Sequence, residues 1–407
     1  MSLTSTTTWS SVVRAAYSKD FLDTMIAKGI WIKLPNFRGD MNVVKGSTIS
    51  FPINRRLPRQ VSNLTEGVDP SAITAAPTEV TVTIVERGFV VQRTKMLDAT
   101  SYTDTHRMVS RQVAEGAVDS LDYYIRGQAL SNSVVVYPYG CTSRADLDAT
   151  DDLPQYEEVV QAVERASSLE VEPFDDGSFV TIVHPIGVAM LRKLTELTAV
   201  SEYSDPALLY TGTSALKGNE RFPGEVFKIN NLRVVSHPWG KVYLGAGTPA
   251  QSPTTTTAAI AVGATSFTVA NATGIAVGDW LTIGTIESGA TQQPTTEQVY
   301  VTSVNGTTIG IQGAGPNFGF KFAHDSGQPV TEAANVFAMP IFGRNSLVGY
   351  YDAEIGREGQ LDHKEAPTAI PGRLWNYSWY WVGGVSMVDS NIVRAEFATT
   401  MGVHGAP

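Results

Sequence analysis

The stretch R-L-W-N-Y-S-W-Y-W-V-G-G-V, from Arg373 to Val385, alternates with period two. Trp375, Tyr377, Trp379 and Trp381 fall on one side, and Asn376, Ser378 and Tyr380 on the other. That is the pattern of a strand with one buried face. A bilayer crossing needs about 20 uninterrupted apolar residues, so a run this short, carrying Asn and Ser, predicts core rather than membrane. Aromatics on the apolar side of a strand are read as core rather than as an exposed ligand platform. A second alternating strand is predicted from Val80 to Arg93. Then Val109, Val113, Ala117, Leu121, Tyr124 and Ile125 recur at steps of three and four, the stripe of an amphipathic helix. Over some 28 residues, it would be a spine about 40 Å long at 1.5 Å per residue.

Upstream, residues 1–35 are Ser/Thr-rich and weakly helical up to Gly29, and read as an arm. Val44, Ile49, Phe51 and Ile53 alternate around Lys45-Gly46-Ser47, predicting a hairpin there. Its continuation to about Pro77 is too polar to fold on its own and predicts a projecting loop over 36–79.

Downstream, L-P-Q-Y-E-E-V-V-Q-A-V-E-R-A-S-S-L reads as an amphipathic helix with Pro154 near its start. An apolar strand then runs into His184-Pro185 and a second helix, a strand–turn–helix unit. G-E-V-F-K-I-N-N-L-R-V-V-S-H-P-W reads as a hairpin through Asn230-Asn231 that ends, like the strand before it, in His-Pro. A Pro/Thr/Ser-rich linker near Gly247 opens a run of short alternating strands to about Asn335. Mixed patterning resumes after it, so 247–335 reads as an inserted all-β domain within an α+β chain.

Composition changes this picture in three ways. The formal charge of −10 over 407 residues argues against general nucleic-acid binding, which uses a basic surface to displace counterions. A single cysteine, Cys141, makes no internal disulfide and fits a reducing compartment. The N-terminus lacks the basic flank and apolar stretch of a signal peptide. No catalytic or cofactor constellation emerges. G-A-G-P-N-F at Gly313 lacks the third glycine and the helix of a dinucleotide loop. The six histidines show no H-x-x-x-H spacing, and His184 and His237 read as structural residues at strand ends. Asp146, Asp148 and Glu157 match positions 1, 3 and 12 of a calcium loop, but Asp151 stands where glycine is required.

Charge is segregated instead. From Lys28 to Arg59 seven basic residues, among them Lys45, Arg55, Arg56 and Arg59, face Asp40 alone. From Ala145 to Asp176 eleven acidic residues, including Asp146, Asp148, Asp151, Asp152, Glu157 and Glu158, face one Arg. Opposite charges on separate parts of one chain suit contact between copies.

The order of arm, hairpin loop, strand, spine helix, α/β unit with H-P-I-G-V-A-M-L-R-K-L, hairpin and return strand resembles the major capsid protein of tailed bacteriophages. G-S-T-I-S-F-P-I and F-G-R-N-S-L-V-G-Y look closest to the coat proteins of N4-like podoviruses. The resemblance implies a peripheral domain over 80–150 and 367–407, with the aromatic strand against a spine helix over 97–130, and an axial domain over 151–246 and 336–366. It also implies a non-enzymatic subunit without cofactor or metal, made in the host bacterial cytoplasm and forming hexamers and pentamers of a virion shell. That shell would enclose double-stranded DNA without sequence-specific contacts or membrane, with scaffold, portal and decoration proteins as partners. Some members of the fold crosslink through a loop lysine, and Lys45 stands at the predicted hairpin tip, but no acidic catalyst or asparagine partner is identifiable. Residues 1–34 are too few for a scaffold-like leader. Two other readings stand beside this one: a tail or surface protein binding glycan through Trp280 or Tyr300, and an α/β enzyme using His184 or His237.

Overall fold

The computed structural model describes residues 29–40, 48–53, 63, 78–101, 105–174, 176–194, 198–199, 224–250, 252–285, 295–312, 319–352, 355–365, 373–388 and 391–402. The chain divides into two compact units, one of Met1–Ile125 with Leu347–Val388, the other of Arg126–Ser346 with Asp389–Pro407.

In the first unit the long strand Leu374–Met387 organises a five-stranded sheet. Val85–Thr94 runs antiparallel along one edge. Leu347–Tyr351 and Gln360–Glu365 follow one another along the other edge, and Asn36–Asp40 adds in parallel to Leu347–Tyr351. The predicted spine helix is interrupted. Lys95–Thr100 forms a short helix capped by the Thr94 hydroxyl, and Thr105–Ala129 forms the long one. The short helix ends at Ser101, whose backbone is extended, and within it the Thr100 hydroxyl donates to the Met96 carbonyl at 2.8 Å. Val109, Val113, Ala117, Leu121, Tyr124 and Ile125 are all buried. The turn and first strand of the predicted hairpin about Lys45 lie outside the described residues; its second strand, Thr48–Ile53, pairs with Thr78–Thr83. Local alternation marks a strand without naming its partner, and here the partner lies beyond residues 54–77.

The second unit contains an eight-stranded mixed sheet in the order Val135–Val136, Ile392–Thr399, Asn335–Phe342, Phe179–Val183, Leu232–Ser236, Glu225–Ile229, Thr198–Ala199, with Val242–Tyr243 also on Asn335–Phe342. Phe179–Val183 and Leu232–Ser236 run parallel, and Glu225–Ile229 turns back through Asn230, whose φ of 51° fits the tight hairpin its Asn-Asn pair signals. The helices Tyr156–Ser168 and Pro185–Leu191 share one hydrophobic cluster with this sheet. The strands after the insertion sort differently from the reading of their sequence. Leu347–Tyr351 and Gln360–Glu365, read as axial, join the aromatic strand, whereas the last strand Ile392–Thr399, read as peripheral, pairs along its whole length with Asn335–Phe342. Every residue of Asn335–Phe342 and Ile392–Thr399 is buried, the requirement of strands covered on both faces.

Between Thr254 and Thr331 six antiparallel strands form a sheet of their own, in the order Thr254–Thr255, Pro329–Thr331, Trp280–Ile283, Glu297–Asn305, Thr308–Ile311, Ser266–Thr268. They enclose a separate core that includes Phe267, Leu281, Val299, Ile309 and Phe320. Among the described residues no helix is long and apolar enough to cross a membrane.

Candidate functional site

The aromatic strand is placed by its alternation. Tyr377, Trp379 and Trp381 are each 1% exposed, and Trp375 is half-buried at the strand's start. The Trp381 ring centroid lies 5.9 Å from that of Tyr124 on the spine helix. Trp379 meets Phe89 at 5.7 Å, and Phe89 in turn lies against Gly116 of the helix, 3.1 Å from where a Cβ would stand. The indole N–H groups of Trp379 and Trp381 donate to the carbonyls of Glu358 and Arg357 at 3.2 and 3.0 Å, so the buried rings keep their polar ends satisfied. On the sheet's other face Gly88, Val90, Gln360, Asp362, Ser378 and Tyr380 line an open depression of about 410 Å³. Val90 and Tyr380 are exposed there, at 57% and 39%.

Of the segregated charges, Lys45, Arg55, Arg56 and Arg59 lie outside the described residues. The acidic residues are described, and most have local duties. One oxygen of Asp146 accepts from the backbone N–H and hydroxyl groups of both Thr142 and Ser143, at 2.8–3.1 Å. These donors, the Thr142 N–H foremost, hold its pKa below the ordinary carboxylate value. Asp148 accepts from Thr150 N, and Asp152 from Asp148 N. Glu158 accepts from Tyr139 N and Gln155 N at the start of its helix, and burial nevertheless raises its pKa. Asp151 and Glu157 are exposed. Among the described residues no group of three or more His, Cys, Asp or Glu is arranged to hold a metal. Cys141 is half-buried, and burial together with Asp152 pushes its thiol up to about 11, away from nucleophilic reactivity.

His184 and His237 end the two parallel strands and do the same work at each. His184 Nδ1 accepts from Ile186 N and His237 Nδ1 from Trp239 N, both at 3.3 Å. Burial first, and the Arg126 guanidinium second, push both imidazoles down to about 4. Arg126 donates to the Trp239 carbonyl at 3.0 Å. With Nδ1 committed to backbone and, among the described residues, no carboxylate bonded to either ring, the pair forms strand-end caps rather than an acid–base couple.

Trp280 and Tyr300 form a tilted pair with centroids 5.2 Å apart, both half-buried. The indole lies directly on Gly402, leaving no room there for a side chain. A sugar stacking on that side of the ring would therefore have to displace Gly402.

The patterning gave almost no sign of three polar assemblies. The fully buried Glu396 is held bidentately by Arg144 at 2.8 Å and also lies 2.8 Å from Arg394 Nε. Gln298 of the six-stranded sheet and Asn335 of the eight-stranded sheet exchange amide hydrogen bonds at 3.1 and 2.8 Å; Asn335 also accepts from Gly245 N and donates to the Met401 carbonyl. Asp122 of the spine helix is 1% exposed and binds the backbone of residues 30–32. Its position three residues before Ile125 and four after Val118, inside the apolar stripe, was the one available signal.

Neither a protein-family model nor a curated protein sequence matches the chain. Among solved structures, the chain is similar to the capsid of Ralstonia phage GP4, at 12% identity over 90% of this chain and 86% of that one with a TM-score of 0.54. It is also similar to the mature capsid of bacteriophage PhiM1 (10% identity, 92% and 87% covered, TM-score 0.47) and to the head of Helicobacter pylori bacteriophage KHP40 (11%, 91% and 91%, TM-score 0.47). The first likeness extends through both units, and on it the protein has the α+β fold of tailed-phage capsid proteins.

Proposed function

We propose that this chain is the major capsid protein of a tailed phage, assembling as hexamers and pentamers into an icosahedral shell around double-stranded DNA. The observation that carries the reading is the fold shared with a phage capsid over nine tenths of the chain. Function then resides in contacts between copies. On this reading the basic residues Lys45, Arg55, Arg56 and Arg59 of one copy meet the exposed acids of another, with Asp151 and Glu157 the most available of them. Within the fold, the sequence runs that resemble N4-like podovirus coat proteins point to that group. The subunit works in the virion and is assembled in the host cytoplasm with scaffold and portal proteins; the inserted sheet faces outward, where a decoration protein would otherwise sit. DNA is enclosed, not read, by a chain of net negative charge.

The test is electron microscopy of the protein expressed alone and with a candidate scaffold, paired with a light-scattering mass. Closed shells, tubes, or rings of five or six are expected. A discrete stable trimer in both preparations would overturn the proposal in favour of a tail or surface protein whose β domain binds a glycan.

A further inference from the structure

Phe179–Val183 and Leu232–Ser236 run parallel with Val183 beside Ser236. The next residues, His184 and His237, therefore leave the sheet at the same end, on backbones about 5 Å apart. The turn after His237 folds back towards His184. Gly240 N donates to the His237 carbonyl at 2.9 Å, and Gly240 packs so tightly on the His184 backbone that a Cβ has no room there. Each ring uses Nδ1 as an acceptor, one from Ile186 N and the other from Trp239 N. A neutral imidazole that accepts at Nδ1 carries its proton at Nε2. Burial and then Arg126 push both rings down to about 4, so neutral is the form they hold at pH 7. Both residues are half-buried, and among the described residues neither Nε2 meets an acceptor.

We propose that His184 and His237 form a binding site for one small oxyanion, a carboxylate or a phosphate group, with each ring donating its Nε2 proton to an oxygen of the ligand. The rings offer donors only, which suits a ligand that only accepts. With the proton at Nε2, neither ring has a lone pair there to give a metal ion. The field at the rings is positive, because the Arg126 guanidinium acts on both of them. Arg126 is itself positioned beside His237, donating to the Trp239 carbonyl at 3.0 Å with its guanidinium 6.0 Å from the indole centroid. Two neighbouring donors can share one ligand, since a carboxylate or phosphate has an oxygen for each. The place also fits, because α/β sheets take ligands outside the carboxyl ends of their parallel strands. All four residues belong to the second unit, and the inference stands apart from the capsid reading.

The experiment is NMR of the full, unassembled chain with nitrogen-15-labelled histidine, six rings in all. It is titrated at pH 7 with inorganic phosphate and separately with acetate, against chloride at matched ionic strength. His184→Asn and His237→Asn assign the two rings. Asn keeps an acceptor oxygen where Nδ1 stood, as in an Asx turn, and loses the outer donor; Gln keeps an outer N–H and loses that acceptor. Both rings should show the Nε2–H tautomer, and both should shift with one shared half-saturation concentration in phosphate, acetate or each. The tighter of the two identifies the ligand's head group. In His237→Asn the half-saturation concentration read at His184 should rise about tenfold, the contribution of one hydrogen bond to a charged group. In His237→Gln it should stay within about threefold of the wild type. A proton on Nδ1 of either ring overturns the proposal, as do shifts that fail to saturate or that chloride reproduces. So does a His184 response indifferent to His237→Asn, or a His237→Gln variant that weakens binding as much as His237→Asn.

Discussion

Glu396 has no exposed surface, and both its oxygens are engaged, by Arg144 across 252 positions of sequence and by Arg394 two residues away on its own strand. Arg144 is fixed on its other side by the Tyr243 ring, 3.4 Å from the guanidinium carbon. A buried ion pair contributes little compared with a well-packed apolar substitute, yet removing one partner strands the other's charge. Glu396→Gln keeps the shape and leaves two guanidinium groups facing a neutral amide. We expect a loss of about 3 kcal/mol, read as a fall in the urea midpoint of the unassembled subunit; a change below about 1 kcal/mol would show that water or nearby carboxylates already serve the arginines. His184 and His237 give a pH signature with its own sign. Folded, both titrate near 4, below the ordinary 6.5, so as pH falls below 6.5 the unfolded chain binds protons that the folded chain refuses. Stability is lost progressively from pH 6.5 to about 4, by roughly 1–2 kcal/mol per histidine after discounting for partial contact with solvent. Comparing urea midpoints at pH 7 and pH 4.5 for the wild type and a His184→Asn/His237→Asn double variant isolates this term, and an equal drop in both would assign the acid sensitivity elsewhere.

Elements show where patterning speaks and where it is silent. The period-two run from Trp375 to Trp381 was readable because one face of that strand is buried and the other is not. The same contrast makes a test: Trp379→Ala should cost about 3–5 kcal/mol through the cavity it leaves, whereas Tyr380→Ala, one residue along on the exposed face, should cost under about 1 kcal/mol. Similar losses at both positions in chemical denaturation would mean that the outer face is covered too. The spine helix was equally legible in its stripe, and the Asn230 turn in its residue types, because these signals are carried by neighbours in sequence. Pairing is not local. Nothing in T-I-S-F-P-I says that it pairs with T-E-V-T-V-T, some thirty residues on, and nothing in I-V-R-A-E-F-A-T says that it belongs with N-V-F-A-M-P-I-F and not with the aromatic strand. Two fully buried strands look alike wherever they go. The polar assemblies were hidden for the same reason: Glu396 reads as an ordinary charge until Arg144 is folded onto it. The segregation of charge was visible in sequence, but much of the acidic side turned out to be occupied with turns and helix starts, work that any Asp- or Glu-rich connection can perform.

At the scale of the whole chain the questions concern how copies meet and what the inserted sheet does. Arg55→Glu with Arg56→Glu reverses charge in the segment read as a projecting loop, so the subunit should fold with an unchanged circular dichroism spectrum and fail to assemble; normal shells would remove charge from the account of assembly. The insertion admits a sharper experiment because of how it is rooted. Its entering and leaving segments are already side by side: Gly247 N donates to Ala334 O at 3.0 Å, Ala250 N to Glu332 O at 2.8 Å, and Pro249 bridges Ala333. Its core is separate from that of the eight-stranded sheet. A short Gly/Ser turn in place of residues 251–331 would therefore close a gap that is nearly closed. Such a deletion also removes Gln298 and leaves the Asn335 amide, buried beneath it, without its reciprocal partner, a loss on the order of 1–3 kcal/mol. The truncated chain should keep its α+β fold at that reduced stability. Replacing Asn335 by Val in the same background should recover part of the loss, because no orphaned amide then remains, although Gly245 N and Met401 O lose a partner. A truncated chain that unfolds outright, with or without Asn335→Val, would mean that the inserted sheet is a structural part of the axial unit rather than an addition carried by it.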